Sequence, residues 1–180
     1  MTGAELAVLS LVAERPRYGY QIEQVIVARE MRQWTDLGFS SIYFILKKLE
    51  RAHLIESRIE PAAGKGPARR VYQITRAGWE AFQKGTLAAL SEPARPTSTF
   101  LLALSNLPAV PSLEAGAALR NYRDRLAERK RYLQQRMDLG DEKFPFHVAA
   151  IFEFSLVMLQ AELDWLDQFI REMEAQDEQA

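Results

Sequence analysis

Residues 40–51, SSIYFILKKLER, decide the fold of this chain. At about 100° per residue, a helix over this stretch separates aliphatic side chains from aromatic and cationic ones. The aliphatic side collects Ile42, Ile45, Leu46 and Leu49. The opposite side collects Ser40, Tyr43, Phe44, Lys47, Lys48 and Arg51. A face meant only for water rarely carries aromatic rings among cations, so the pattern predicts a helix that contacts nucleic acid.

The start of this helix suits the same partner. Ser40 is a good N-cap residue. The first turn would offer free amides and the positive end of the helix dipole, which favour phosphate oxygens. The alternative is a solvated cationic helix whose aromatic side chains lie along a neighbouring wing.

A hairpin pattern follows the helix. Residues 54–60 and 70–75 alternate apolar and polar side chains, as half-buried antiparallel strands do. Between them lies a turn-rich, basic tip, residues 61–69. Helix, strand, basic loop and strand occur in the order of a winged helix-turn-helix, whose wing would carry Lys65, Arg69 and Arg70. An ordinary exposed hairpin with solubilising charges is the alternative.

The charge of the chain is distributed unevenly, although the net charge is only −1. Residues 1–90 hold 13 Lys and Arg against 9 Asp and Glu, a net +4, and residues 91–180 carry a net −5. Within residues 40–76 the balance is 8 against 3, or +5. Cation density therefore peaks at the predicted helix and wing, where phosphates of double-stranded DNA would lie.

Composition sets outer bounds on the function. With 180 residues, 48% of them hydrophobic, the chain can bury a core as one or two small domains. It has no cysteine, and its two histidines, His53 and His147, lack ligand-spaced partners, so we expect no metal site and no cofactor. No basic leader and no apolar run of about 20 residues is recognised, so we expect a cytoplasmic protein without a membrane segment.

The N-terminal residues predict two further helices ahead of the helix at 40–51. Thr2 and Glu5 fit a capping box for a helix that runs to about Glu14. After Pro16 an amphipathic helix follows, with Ile22 on its buried side. The helix over 40–51 should end near residue 52, with His53 as a left-handed cap.

Punctuation by proline divides the chain. A helix from Thr75 fades at the Pro-rich residues 93–97, which form the best candidate boundary. We predict a mainly α fold with three parts. Residues 1–90 form a winged-helix DNA-binding domain with a small two-stranded wing, residues 91–111 a linker with a short helical segment, and residues 112–180 a helical dimerisation domain.

The C-terminal part contains two long helical patterns, roughly 112–138 and 146–174. The second is apolar around more than half its circumference, which two helices alone cannot cover. A second copy of the chain is the simplest partner, and packing within the chain is the alternative. The predicted dimerisation residues are Ile151, Phe154, Met158, Leu163, Trp165, Leu166, Phe169 and Ile170.

Three blocks of sequence resemble PadR-type transcriptional regulators. They are Tyr18 to Ile22, then Ser41 to Glu50 with Leu54-Ile55, and Arg70 to Gly78. Residues 162–166, ELDWL, resemble the end of the longer C-terminal domain of that family, shared with virulence-gene activators. His53 stands where the family usually has glycine.

The resemblance implies a homodimeric winged-helix regulator, usually a repressor, on a palindromic operator. It also implies release by a small aromatic or amphipathic ligand. The family's DNA contacts at the start and exposed face of the third helix match Ser40, Ser41, Tyr43, Lys47 and Lys48. The wing positions carry over only as a basic loop.

Other functions have less support in the sequence. No paired nucleophile and base, no carboxylate pair and no phosphate loop is recognised, since Gly64-Lys65-Gly66 is too short, so we expect no enzyme. A winged helix that contacts protein instead of DNA is the rival. An effector cavity between the domains would have aromatic walls. Its candidate residues, which plain core packing would explain equally well, are Trp34, Trp79 and Phe100, with Trp165, Phe154 and Met158.

Overall fold

A computed structural model describes residues 1–35, 37–38, 41–61, 68–93, 98–138 and 144–177. The chain forms two compact units, Met1–Arg95 and Pro96–Ala180. In the first unit the helices are α1 (Gly3–Glu14), α2 (Gly19–Ala28), α3 (Ser41–Arg51) and α4 (Arg76–Ser91), with a 3-10 turn at Met31–Gln33. Its strands are β1 (Arg17–Tyr18), β2 (Ile55–Glu60) and β3 (Arg69–Ile74). The second unit contains α5 (Thr99–Ser105), a 3-10 turn at Leu107–Ala109, α6 (Ser112–Asp138) and α7 (Phe146–Asp177).

The predicted start of α1 is confirmed. The Thr2 hydroxyl accepts a hydrogen bond from the Glu5 amide at 3.2 Å, and the Glu5 carboxylate accepts one from the Thr2 amide at 2.9 Å. This reciprocal cap satisfies two amide groups that a helix start leaves without partners. The buried residues of α1 then join the core of the first unit.

The helix α3 buries the side that its sequence predicts. Its four aliphatic side chains belong to the core formed with α1, α2 and the sheet. His53 has φ of 56°, as expected of a left-handed cap, and the Leu54 amide donates to the Leu49 carbonyl at 3.0 Å. These caps fix where α3 ends and the wing strand begins.

The wing is a three-stranded antiparallel sheet in the order β1-β3-β2. The two predicted strands pair in a register that sets Ser57 opposite Tyr72 and Glu60 opposite Arg69. The two-stranded prediction missed β1, in which Arg17 pairs with Tyr72 and Tyr18 with Val71. A two-residue strand has no periodicity, and only its pairing with β3 defines it.

The start of α4 packs directly on the backbone that leaves α3. The Thr75 amide and hydroxyl both donate to the Leu54 carbonyl at 3.1 Å. A Cβ atom on Gly78 would lie 1.9 Å from the same oxygen. Glycine is therefore required here for close approach. The apolar contacts predicted for Trp79 and Leu87 are only partly made, since both side chains are exposed and Phe82 packs on the core.

In the second unit α6 and α7 run antiparallel, because Arg120 pairs with Glu174 and Lys130 with Gln160. The buried core between them holds Leu119, Leu126, Leu159, Leu163, Leu166 and Ile170. Side chains of α5 join this core, so the predicted linker segment is part of the second unit.

The length and apolar composition of α7 would suffice to cross a membrane over Phe146–Gln176. This corrects the expectation that no segment approaches that length. The sequence estimate looked for an uninterrupted apolar run, whereas charged residues in this helix are widely spaced. One side of α7 packs on α6, which is also typical of a long helix in a helical bundle.

Candidate nucleic-acid interface

The exposed side of α3 carries the side chains that the sequence singled out. Tyr43 is 63% exposed and Phe44 69% exposed. Lys47, Lys48 and Arg51 are also exposed. Aromatic and cationic groups therefore share one surface, which we call the α3 face.

Ser41 takes part in the turn that starts α3. Its hydroxyl donates to the Gly38 carbonyl at 2.6 Å, and its amide donates to the same oxygen at 3.3 Å. The predicted cap residue Ser40 and the predicted wing residue Lys65 lie outside the described residues.

The three cations of the α3 face differ in their partners. The Lys48 ammonium donates to the carboxylate of Glu5, a buried residue of α1. This hydrogen bond is the largest cause that lowers the pKa of Glu5. Within the described residues, the side chains of Lys47 and Arg51 form neither a hydrogen bond nor an ion pair. Lys47 and Arg51 therefore keep their full charge for an outside anion.

The cations at the base of the wing are held by neighbouring side chains. Arg70 lies 3.5 Å from the Glu50 carboxylate, which also accepts a hydrogen bond from Ser57. Glu50 thus ties the C-terminal turn of α3 to both long strands of the wing. Tyr72 lies in the same cluster, and burial raises the pKa of its hydroxyl.

Arg69 contacts Tyr18 in two ways. Its guanidinium carbon lies 4.8 Å from the centre of the Tyr18 ring, and one guanidinium nitrogen donates to the Tyr18 hydroxyl at 3.1 Å. A cation over an aromatic face is attracted by the ring quadrupole. Tyr18 thus fixes the side chain of Arg69 where β3 begins.

Sequence reasoning missed four residues that arrange this surface: Glu5, Tyr18, Gly19 and Glu50. A Cβ atom on Gly19 would lie 2.5 Å from a ring carbon of Tyr43, so this glycine accommodates an aromatic ring of the α3 face. The capping signal at Glu5 and the Tyr-Gly-Tyr block were visible, but their contacts span 43 and 24 residues of sequence. A single sequence does not display such pairs.

The eight predicted dimerisation residues fall into two groups. Leu163, Leu166 and Ile170 are buried in the α6–α7 core, and Phe169 packs against it, so the chain itself covers these four. The other four, which remain exposed, are Ile151, Phe154, Met158 and Trp165.

The predicted effector residues lie in both units. Trp34 is half exposed, and Trp79 contacts Phe82 edge to face at 5.9 Å between ring centres. In the second unit Phe100 stacks on Tyr122 at 4.5 Å and meets Trp165 edge to face at 6.1 Å. Trp34 and Trp79 thus belong to the first unit and Phe100 to an aromatic cluster of the second.

Metal binding has no support in the geometry of the ionisable side chains. Over the described parts of the chain, no cluster of three or more His, Asp or Glu side chains is arranged to hold a metal ion.

Comparison with known proteins gives concordant results. Residues 8–84 match the model of the transcriptional regulator PadR-like family. A comparison with curated protein sequences finds no match. The fold is similar to that of Bacillus subtilis PadR in complex with operator DNA, with a TM-score of 0.74, 19% identity, and coverage of 94% of this chain and 98% of that one.

Two further solved structures share the fold. B. subtilis PadR in complex with p-coumaric acid has a TM-score of 0.72 and 19% identity over 96% of this chain and 99% of that one. The PadR-like transcriptional regulator BC1756 from Bacillus cereus has a TM-score of 0.68 and 18% identity over 96% and 99% of the two chains. The predicted fold class, mainly α with a small wing, is confirmed by this likeness.

Proposed function

Because this chain belongs to the PadR-like family of transcriptional regulators, to which its residues 8–84 assign it, we propose that it is a sequence-specific repressor. It acts as a homodimer on a palindromic operator and responds to a small aromatic or amphipathic ligand. A chromosomal operator implies that it works in the cytoplasm.

The α3 face is the observation that carries the DNA partner. Lys47 and Arg51 are exposed and have no partner among the described residues. Tyr43 and Phe44 stand beside them with large exposed surfaces. Cations contact phosphate oxygens, whereas aromatic side chains on a helix in the major groove can meet base edges such as the thymine methyl group. The likeness to PadR in complex with operator DNA agrees with this assignment.

The exposed side of α7 supports the homodimer. Ile151, Phe154, Met158 and Trp165 recur at helical spacing and stay uncovered within the chain. A contiguous apolar surface of this kind marks an interface, and a self-complementary contact between two copies gives twofold symmetry. Such a dimer would present two α3 helices about one DNA turn apart, roughly 34–36 Å, on a palindromic site.

The effector is the least direct part of the proposal. The candidate residues Trp34, Trp79 and Phe100 have flat apolar side chains, which suit a planar aromatic ligand. The structure of PadR with p-coumaric acid offers a ligand class to begin with. Hydroxycinnamic acids and related phenolic acids are therefore the first compounds to test.

Selection of genomic DNA fragments by the purified chain tests the function. We expect recovery of a palindromic site, bound with nanomolar affinity and weakened by salt. Lys47→Ala and Arg51→Ala should weaken binding to that site. Lys84→Ala, which removes an exposed cation from α4, is the matched control and should not.

The rival function predicts a different outcome of the same experiment. A winged helix that contacts protein would recover DNA weakly and without sequence preference. Its affinity for DNA would then fall equally with Lys47→Ala and with Lys84→Ala, since only net charge would matter.

A further inference from the structure

Gly19, the first residue of α2, lies directly beneath the ring of Tyr43 on α3. A Cβ atom at Gly19 would lie 2.5 Å from Cε1, 3.0 Å from Cζ and 3.2 Å from the hydroxyl oxygen of Tyr43. The first distance is shorter than any ordinary contact between carbon atoms. The Tyr43 ring therefore occupies space that is open only because residue 19 has no side chain.

Tyr18, the preceding residue, fixes a second side chain of the candidate interface. Its ring and hydroxyl contact Arg69 at the beginning of β3, 4.8 Å from ring centre to guanidinium carbon and 3.1 Å from hydroxyl to guanidinium nitrogen. Tyr43 comes from the recognition helix and Arg69 from the base of the wing. Two neighbouring residues thus set side chains of two separate elements.

The backbone of this dipeptide is itself held in place. The Tyr18 amide donates to the Gln21 side-chain oxygen at 3.2 Å. Tyr18 also pairs with Val71 in the sheet, and Gly19 begins α2. A backbone tied to both a strand and a helix provides a fixed reference for the side chains that rest on it.

We propose that Tyr18 and Gly19 are positioning residues for operator recognition: Gly19 sets the Tyr43 ring and Tyr18 sets Arg69, so that helix and wing meet DNA in a fixed relative geometry. This inference rests on the proposed DNA-binding function. Neither residue needs to touch DNA for this role. Its consequence is that changes at residues 18 and 19 alter affinity through residues 69 and 43.

Gly19→Ala separates positioning from folding. The atoms that a new methyl group would meet belong to the outer end of one exposed side chain, so the ring can swing away while the backbone stays. Alanine is also a good helix former. We expect operator affinity to fall about fivefold to tenfold, with an unchanged thermal midpoint.

Gly3→Ala is the matched control for this substitution. Gly3 is the first residue of α1, as Gly19 is of α2, and a Cβ atom there meets nothing within 4 Å. Operator affinity of Gly3→Ala should equal that of the unaltered chain. A loss shared by both variants would be a general effect of alanine at a helix start and would overturn the proposal.

A double-mutant cycle assigns the loss to Tyr43. If Gly19 acts only through that ring, Gly19→Ala should have no further effect on affinity in a Tyr43→Ala background. The second cycle combines Tyr18→Phe, which removes the hydroxyl acceptor and keeps the ring, with Arg69→Ala. The effects of these two changes should also be less than additive. Additive losses in either cycle would overturn the proposed positioning role.

The design distinguishes failure of this inference from failure of the function. If the unaltered chain recovers no preferred DNA site, the repressor function itself is wrong, and the positioning role fails with it. If the chain binds its site, and Tyr43→Ala and Arg69→Ala weaken binding without coupling to residues 19 and 18, only the positioning role is wrong.

Discussion

Lys48 of α3 donates a hydrogen bond to the carboxylate of Glu5 of α1. The same carboxylate accepts a hydrogen bond from the Thr2 amide, so one acidic group caps α1 and holds a cation of the α3 face. Lys48 and Lys47 are neighbours in sequence, yet only Lys48 is matched by an opposite charge among the described residues. Adjacent lysines of one helix therefore enter a DNA complex with different electrostatic starting points.

The salt dependence of operator binding should distinguish these lysines. Lys47→Ala should lower the slope of log affinity against log salt by about 0.9 for each phosphate that it leaves without a cation, hence by about twice that for a dimer. Lys48→Ala should change the slope by less than half as much, because Glu5 already neutralises its charge. Titrations at four or more salt concentrations measure both slopes. Equal slopes for the two variants would contradict this view of Lys48.

Glu5 should also contribute to stability against acid. The hydrogen bond from Lys48, followed by that from the Thr2 amide, holds the pKa of Glu5 below its ordinary value of 4.5. A lowered pKa in the folded state stabilises the fold above the unfolded-state pKa, and this contribution is lost as pH falls through the folded-state pKa.

Glu5→Gln tests this contribution. Glutamine retains a side-chain acceptor for the cap and removes the charge. We expect a loss of about 0.5–1 kcal/mol at pH 7, modest because the Lys48 side chain is 57% exposed. The loss should shrink as pH falls below about 4.5. Urea unfolding at pH 7 and pH 3.5 measures it, and a loss that does not depend on pH would contradict the ion pair.

Gly78 should be intolerant of a side chain. Because a Cβ atom would lie 1.9 Å from the Leu54 carbonyl oxygen, the backbone of α4 or of residue 54 must move. We expect Gly78→Ala to reduce the free energy of unfolding by about 2–3 kcal/mol. Gly3→Ala is the control, since open space surrounds that position. Equal unfolding midpoints for the two variants would show that α4 does not pack on Leu54 this closely.

The features predicted from sequence were those written into neighbouring residues. The cap at Thr2 and Glu5, the buried side of α3 and the left-handed His53 each depend on residues a few positions apart. The helix α6, predicted at 112–138, occurs at Ser112–Asp138 because its apolar positions repeat at helical spacing.

The missed features arise from long-range contacts. Strand β1 exists only through its pairing with β3. The division of the α3 cations into matched and unmatched ones depends on Glu5, which lies on another helix. The side of α7 that meets α6 likewise depends on a second element, so its apolar composition alone did not separate core positions from surface positions.

The second unit should show an unusual tyrosine. The Tyr122 hydroxyl donates to the Glu162 carboxylate at 2.5 Å, and burial together with this bond raises the pKa of Tyr122 to about 12. A raised pKa in the folded state stabilises the fold below pH 10, and the contribution disappears as pH rises from about 10 toward 12.

Absorbance at 295 nm during an alkaline titration measures tyrosine ionisation. Tyr122→Phe should remove one tyrosine equivalent from the last part of the curve, near pH 12. Burial also raises the pKa of Tyr72, so a late component should remain in this variant. The exposed Tyr20 provides the control, because Tyr20→Phe should leave the last part unchanged. An unaltered late component in Tyr122→Phe would contradict the bond to Glu162.

The exposed side of α7 should tolerate charge in a monomer but not in a dimer. Phe154 is 68% exposed within one chain, so Phe154→Glu leaves the α6–α7 core intact. A carboxylate buried at an apolar interface without a partner is strongly unfavourable. It also adds to a helix that already holds seven acidic residues against one arginine between 146 and 177. We therefore expect this variant to be monomeric.

Sedimentation velocity gives the oligomeric state directly. Leu87→Glu is the matched control, because Leu87 is 67% exposed on α4 and should tolerate glutamate without a change in mass. Monomeric Phe154→Glu should also lose most of its operator affinity, since each half-site contact then forms independently. If Phe154→Glu stays dimeric at micromolar concentration, the two copies meet through a surface other than the exposed side of α7.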